Sequence, residues 1–331
     1  MSTALPLSAA DVYDAQRRLS GVSTVTPVLS NPALDEAAAR HVVCKVEALQ
    51  RAGSFKFRGA YNAVACLSAN GRRGVIGASS GNHAQALALA GHLHGVPVTV
   101  VVPHDAPGGK VEGARSLGAH IVTYQREQDN RDEITAALAA EQGLSIVPSA
   151  NSPFVMAGAG TAALELLRQA PDLVAILVPV GGGGLAAGTS VAAKDVNPGI
   201  KVIGVEPETG NDTAISLQAG CRVELAAVPE TIADGLRHTT PAELPWEVNR
   251  VMLDDVVTVS DAQILEAMHW SFKNLKIVAE PSGAVALAAV AGLALPPGPV
   301  GVVISGGSVD LPAYLQLMAR PLPERTRSEL A

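Results

Sequence analysis

The stretch VIGASSGNHAQALALAGHLHGVPVTVVVP, Val75 to Pro103, joins a short apolar run, a small polar turn, a helical pattern rich in Ala and Leu, and a second apolar run. Strand, helix and strand in that order describe a βαβ unit with parallel strands. The pattern continues outward. AHIVTY and LSIVPS read as further strands, with GGKVEGARSLG and RDEITAALAAEQG as the helices between. A second series follows, LVAILVPV, KVIGVE and PVGVVIS, separated by Ala-rich helical segments. Upstream, SAADVYDAQRRL reads as a helix with Ser8 as N-cap and Asp11 at the capping-box position. TPVLSNPALDE reads as turn-rich and HVVCKVE as a short strand. The fold class is therefore α/β. Two domains are expected, a small unit over 71–149 inserted into a large one made of 1–70 and 150–331, with the site between them.

The bulk numbers agree. The 331 residues suit one large or two medium domains, and 48% hydrophobic against 17% charged residues gives ample core. The formal net charge is -7 and no long basic run appears, which argues against nucleic acid as a partner. Cys44, Cys66 and Cys221 are far apart and form no CxxC pair, so reduced thiols and a cytoplasmic location are expected. No signal peptide is read at the N-terminus, and no apolar run reaches membrane length.

Four stations carry chemistry. The first is SFKFRGA, Ser54 to Ala60, where Lys56 lies between two of the four phenylalanines of a chain only 3% aromatic. Ser54 offers an N-cap, and Arg58 offers a neighbouring cation. Apolar surroundings and a nearby positive charge both lower an amine's pKa, and a neutral amine forms a Schiff base with an aldehyde. The bland alternative is a solvated lysine at a helix start. The second station is ASSGNHAQ, where a strand passes into a helix. Ser79, Ser80, Asn82 and His83, with the backbone amides of the turn, make a cradle for a carboxylate or phosphate. An ordinary capping turn would need fewer such residues.

The third station is VPVGGGGLAAG, a strand running into Gly181, Gly182, Gly183 and Gly184 and then a helix from Leu185. Such a loop closes its amides around a phosphate. Gly181, Gly183 and Ala186 also satisfy G-x-G-x-x-A, and the next strand ends in Glu206. A dinucleotide site, and with it an NAD-dependent oxidoreductase, stays open at this point. The fourth is VVISGGSVDLP, where the Ser305 hydroxyl either meets a ligand ring atom or caps its turn. PGGK lacks the rest of a P-loop, and no HExxH, cysteine cluster or G-x-S-x-G appears.

Taken together, SFKFRGA, SSGNHAQ, GGGGL and SGGSVD, with VEPETGND and ETIADGL, resemble the fold type II pyridoxal-phosphate enzymes. The resemblance is to the serine racemase and serine/threonine dehydratase family, and it runs from about Ser8 to Leu311. It implies a tryptophan-synthase-β-like fold and a homodimer. Lys56 is then the lysine that carries pyridoxal 5'-phosphate. Phe55 and Gly235 flank the ring, Asn82 meets the ring hydroxyl, and Gly181 to Leu185 hold the phosphate. Ser305 faces the ring nitrogen, and Ser79, Ser80 and His83 lie in the loop for the substrate carboxylate. Glu206, the Gly210 carbonyl and Asp212 match a site for Mg²⁺ or Ca²⁺, where the residues alone read as an acidic turn.

The implied activity is an ammonia-lyase converting a β-hydroxy amino acid such as L-threonine or L-serine to a 2-oxo acid and ammonia. Ser80, on the face of Cα opposite the lysine, also permits serine racemisation. Arg131 aligns with an arginine that approaches a second carboxylate, which admits threo-3-hydroxyaspartate. VPSANSP and His238 depart from the family's usual pattern and leave simple serine or threonine specificity open.

Overall fold

The computed structural model describes residues 5–68, 73–79, 81–106, 108–125 and 127–322. Helix α1 (Ala9–Leu19) starts as expected. The Ser8 side chain accepts from the Asp11 amide, and the Asp11 side chain accepts from the Ser8 amide. The turn-rich reading of TPVLSNPALDE needs correction, because it contains strand β1 (Val28–Ser30) and helix α2 (Pro32–Ala38). Asn31 accepts from the Ala33 amide and Pro32 takes the first helical position, so these turn formers here start a helix. Strand β2 (Val42–Val46) follows, then helix α3 (Lys56–Ala65).

The segment from Val75 holds β3 (Val75–Ala78), α4 (Asn82–His94), β4 (Val98–Pro103), α5 (Gly108–Ser116), β5 (His120–Tyr124), α6 (Arg131–Gln142) and the two-residue β6 (Ser145–Ile146). These strands form one sheet, ordered β5-β4-β3-β6 and parallel throughout. Its core also recruits Phe57, Ala60, Ala63 and Val64 from α3.

The chain then runs through α7 (Pro153–Gln169), β7 (Ala175–Pro179), α8 (Gly184–Val196), β8 (Lys201–Pro207), α9 (Asp212–Ala219), α10 (Glu243–Met252), β9 (Asp255–Val259), α11 (Asp261–Trp270), α12 (Pro281–Ala288), β10 (Val300–Ile304) and α13 (Leu311–Met318). The second sheet is ordered β1-β2-β10-β7-β8-β9, with only the β1–β2 pair antiparallel. Strand β9 was not expected. It is a half-exposed edge strand whose short DVVTV lacks the long apolar run of its neighbours.

Alternation along the strands sorts the large core into two layers. Val42, Cys44 and Val46 face α11 and α12, while Val43 faces α7 and α8. Every residue of β2, β7 and β10 is buried, as helices on both faces of a parallel sheet require. Among the described residues, no helix is long and apolar enough to cross a membrane.

Candidate active site

The loops that leave β3, β6, β7 and β10 at their C-terminal ends converge, the usual place for a ligand in an open α/β sheet. Lys56 is at their centre, at the start of α3. Its ammonium donates to the Ser149 carbonyl at 2.8 Å and lies 5.0 Å from the Phe55 ring centroid. Burial pulls its pKa down to about 8, against the opposing charge of Glu280. Two expectations about its neighbours fail. Ser54 does not cap the helix. Its backbone is extended and bridges to Gly306, and Phe55 takes the cap position, with its amide bonded to the Ser305 carbonyl at 3.0 Å. Nor does Arg58 depress the lysine. It is fully buried, donates to both carboxylate oxygens of Glu47 at 2.7 and 2.8 Å and pairs with Glu165.

Gly181, Gly182 and Gly183 lie between β7 and α8 and Gly184 opens α8, whose N-terminus carries the positive end of the helix dipole toward them. Gly183 has φ +86, and a Cβ there would sit 2.6 Å from the Asn249 amide nitrogen, so a side chain is excluded twice over. Leu185 is buried behind the loop. The His238 ring covers Gly181 and Gly182. Its Nδ1 is 3.0 Å from where a Cβ of Gly181 would be and has no hydrogen-bond partner. Burial, with the charges of Lys56 and Arg131, lowers this histidine to about 4, so it is neutral. Arg131 opens α6, about half exposed, with Asp132 beside it at 3.4 Å.

The second cradle forms at the β3–α4 junction. The Ser79 hydroxyl accepts from the Gly81 amide at 3.1 Å, and Asn82 begins α4. Ser80 lies outside the described residues. His83 is buried and bonds through Nε2 to the Val147 carbonyl at 2.9 Å, so it braces the loop after β6. Asn82 donates to the Glu280 carboxylate, and its Oδ1 is buried without a partner. Gly306 packs against this pair; its Cβ would meet the Glu280 oxygen. The Gly235 amide donates to the Ser282 hydroxyl at 2.8 Å, and Ser305 is buried beneath α12.

Glu280, Ser282 and Lys110 also line the site, though the sequence gives them no role there. The signal for the first two was an acid before Pro-Ser-Gly at a helix start. For Lys110 no local signal exists. The unpaired Asn82 oxygen, the glycine cradle and the buried amine fit a phosphorylated aldehyde cofactor.

Glu206 ends β8 fully buried. Its two oxygens accept from the Thr213 and Ala214 amides at 3.1 and 2.9 Å, at the N-terminus of α9. The carboxylate is thus turned toward the start of α9. Asp212 is equally buried, and neither of its oxygens has a hydrogen-bond partner. Burial pushes Glu206 up to about 7, and burial plus the charge of Glu206 pushes Asp212 up to about 8. The orphaned Asp212 carboxylate fits a hard cation. Among the described residues no cluster of three or more His, Cys, Asp or Glu forms, so a cation here would draw on two carboxylates and the Gly210 carbonyl.

Comparison with known proteins agrees with this geometry. Residues 19–306 match the family model described as pyridoxal-phosphate dependent enzyme. The chain is 42% identical to the L-threo-3-hydroxyaspartate ammonia-lyase of Saccharomyces cerevisiae, over 93% of this chain and 95% of that one. It is 40% identical to the L-threonine ammonia-lyase of Thermotoga maritima, over 91% of this chain and 75% of that one. The structure of maize serine racemase superposes with a TM-score of 0.91 at 37% identity, covering 95% of this chain and 97% of that one. With a half-buried lysine, a glycine cradle and these relatives, the chain belongs to the fold type II pyridoxal-phosphate-dependent enzymes, in the serine racemase and serine/threonine dehydratase family.

Proposed function

We propose that the protein is an ammonia-lyase that converts a β-hydroxy amino acid, such as L-threonine or L-serine, to a 2-oxo acid and ammonia. The observation that carries this reading is the Lys56 amine, depressed to about 8 between a phosphate cradle and a carboxylate cradle. When bound, pyridoxal phosphate supplies an aldehyde for amine exchange and a ring that stores the electron pair left at Cα. The Gly181–Gly184 amides and the α8 dipole hold its phosphate. The α4 N-terminus and Ser79 hold the substrate carboxylate. Lys56, neutral in a useful fraction, takes the Cα proton from its own face. The Cβ hydroxyl leaves as water, and hydrolysis of the enamine gives the 2-oxo acid and ammonia. Ser305 offers the ring nitrogen a hydroxyl rather than a carboxylate, which favours prompt elimination over transamination. A screen of β-hydroxy amino acids for 2-oxo acid release and for inversion tests the reading. No release from any of them would overturn it.

A second reading, threo-3-hydroxyaspartate as substrate, is favoured by His238. Its neutral ring has an unpartnered nitrogen beside the cradle, and Arg131 is within electrostatic reach. A β-carboxylate would find a donor and a cation there.

Racemisation needs a second proton-transfer group, and Ser80 is assigned that role from the sequence. Ser80→Ala should lower any racemase rate about 10²–10⁴-fold while elimination falls much less. Equal loss of both activities, with substrate affinity measured alongside, would reduce Ser80 to a binding residue.

Glu206, Gly210 and Asp212 are proposed to hold Mg²⁺ or Ca²⁺. Chelation should lower the thermal midpoint, and either ion should restore it. The sign with pH follows from the raised carboxyls. Without a cation, the folded state holds their protons more tightly than the unfolded chain. Their favourable contribution is therefore lost as pH rises toward about 7 and 8. The gap between chelated and loaded protein should widen over that range, and a constant gap would count against the site.

A homodimer, a cytoplasmic location and division into 1–70 with 150–331 and 71–149 belong to the same proposal. The free thiols of Cys44, Cys66 and Cys221 support a reducing compartment.

A further inference from the structure

In the sequence, Lys110 closes a PGGK that fails as a phosphate loop. In the structure it is buried at 7% exposure on α5, and its ammonium reaches across to the other sheet's loops. It lies 3.1 Å from one oxygen of Asp234 and 3.6 Å from one oxygen of Glu280. The other Asp234 oxygen accepts from the Ser282 hydroxyl at 3.3 Å, and that hydroxyl accepts from the Gly235 amide. The other Glu280 oxygen accepts from Asn82. One chain of contacts thus joins Gly235 to Asn82, two of the groups expected against the cofactor ring, with Lys110 at its middle.

Among the described residues Glu280 is the side-chain partner that orients Asn82, whose Oδ1 is buried and unpaired. An ionised Glu280 can only accept, which turns the amide nitrogen toward it. A protonated Glu280 can donate to the amide oxygen, which would turn the side chain over. We propose that Lys110 is a positioning residue that holds Glu280 charged and so fixes which end of the Asn82 amide faces the cofactor's ring hydroxyl. The inference rests on the assignment of Asn82 as a cofactor contact.

The charges facing Glu280 come from three elements. Lys110 on α5 and Lys56 on α3 favour its anion, and Asp234 in the turn at 234–236 disfavours it. Burial disfavours the anion most and leaves the carboxyl at about 7, where the loss of one cation tips it.

The test uses two forms of the full chain. In cofactor-free protein, the Asn82 side-chain amide is followed by ¹⁵N NMR against pH. Its titration step should move up by about 1–3 pH units in Lys110→Met, return in Lys110→Arg and vanish in Glu280→Gln. In the holoenzyme, the pH titration of the visible cofactor band should shift in both Lys110→Met and Glu280→Gln, with no added shift in the double variant. Lys110→Gln replaces Lys110→Met if the latter fails to fold. An unmoved step in Lys110→Met, or additive shifts in the double variant, would overturn the proposal and leave Lys110 a tether between the two sheets. Wild-type protein that takes up no pyridoxal phosphate would sink the cofactor assignment instead, and the cofactor-free titration would still decide what Lys110 does to Asn82.

Discussion

Lys56→Ala should release 2-oxo acid at least ~10²–10⁴-fold more slowly than the wild type, the usual contribution of a positioned general base. The change removes the amine proposed both to hold the cofactor and to act as the base on its face of Cα. Stability should move little. Among the described residues the lysine makes one hydrogen bond, to the Ser149 carbonyl, and burying its charge is itself costly. Lys56→Arg should not rescue, because a guanidinium does not give up its proton at working pH. Borohydride reduction of the wild type should fix the cofactor to Lys56. Lys45 and Lys110 are more deeply buried than Lys56, and labelling at either would displace the assignment. Normal turnover by Lys56→Ala would remove the mechanism altogether.

The largest loss of stability is expected at Arg58. Its guanidinium donates to Glu47, to both oxygens of Glu165, to Thr161 and to the Thr24 carbonyl, all without exposure of its own. Lys45 closes the cluster, donating to Glu165 and Gln169 at 2.9 Å and to the Thr26 carbonyl at 2.8 Å. Two cations thus balance two carboxylates in the interior. Burial alone would depress the guanidinium, and Glu47 and Glu165 reverse this and hold it above its ordinary value. Arg58→Met should cost about 3–5 kcal/mol in denaturant unfolding, since it leaves the buried Glu47 carboxylate without a cation and Glu165 with Lys45 alone. Arg58→Lys should recover only part, because an ammonium cannot grip two carboxylates in paired fashion. Adding Glu47→Gln to Arg58→Met should restore some of the loss. A cost below about 1 kcal/mol for Arg58→Met would mean that water reaches the cluster and screens it.

Much of this was legible from the chain. The βαβ alternation from Val75 required parallel strands, and the parallel sheet formed as read. The glycine run and Lys56 stood out because their chemistry is local, a backbone without side chains and an amine between two aromatics. What escaped was long-range. Asn82 meets Glu280 across 198 positions, and Arg58 meets Glu165 across 107. No window along the sequence contains both partners of either pair. Arg58 looked like a neighbour of Lys56 because it follows two residues later. On a helix that spacing points the two side chains apart, and folding sent one to the pocket and the other to the core. Ser54 looked like a cap, but a strand-like bridge to Gly306 claimed its backbone first.

Strand β10 is the last strand in the chain, yet it lies inside the six-stranded sheet between β2 and β7. Val300 pairs with Val42 on one side and Ala175 on the other. During synthesis, β2 therefore emerges long before its parallel neighbour exists, and it waits with an open edge. The four-stranded sheet has no such debt, since all its strands lie between Val75 and Ile146. Domains tend to fold as units while the ribosome is still at work, and distant pairings close late. The half that carries Asn82 can thus be finished while the half that seats Phe55 on Ser305 is still incomplete. Lys56, the proposed catalytic lysine, would reach its place beside Phe55 and Ser305 only when almost the whole message has been read, and a chain released early would hold at most the four-stranded sheet.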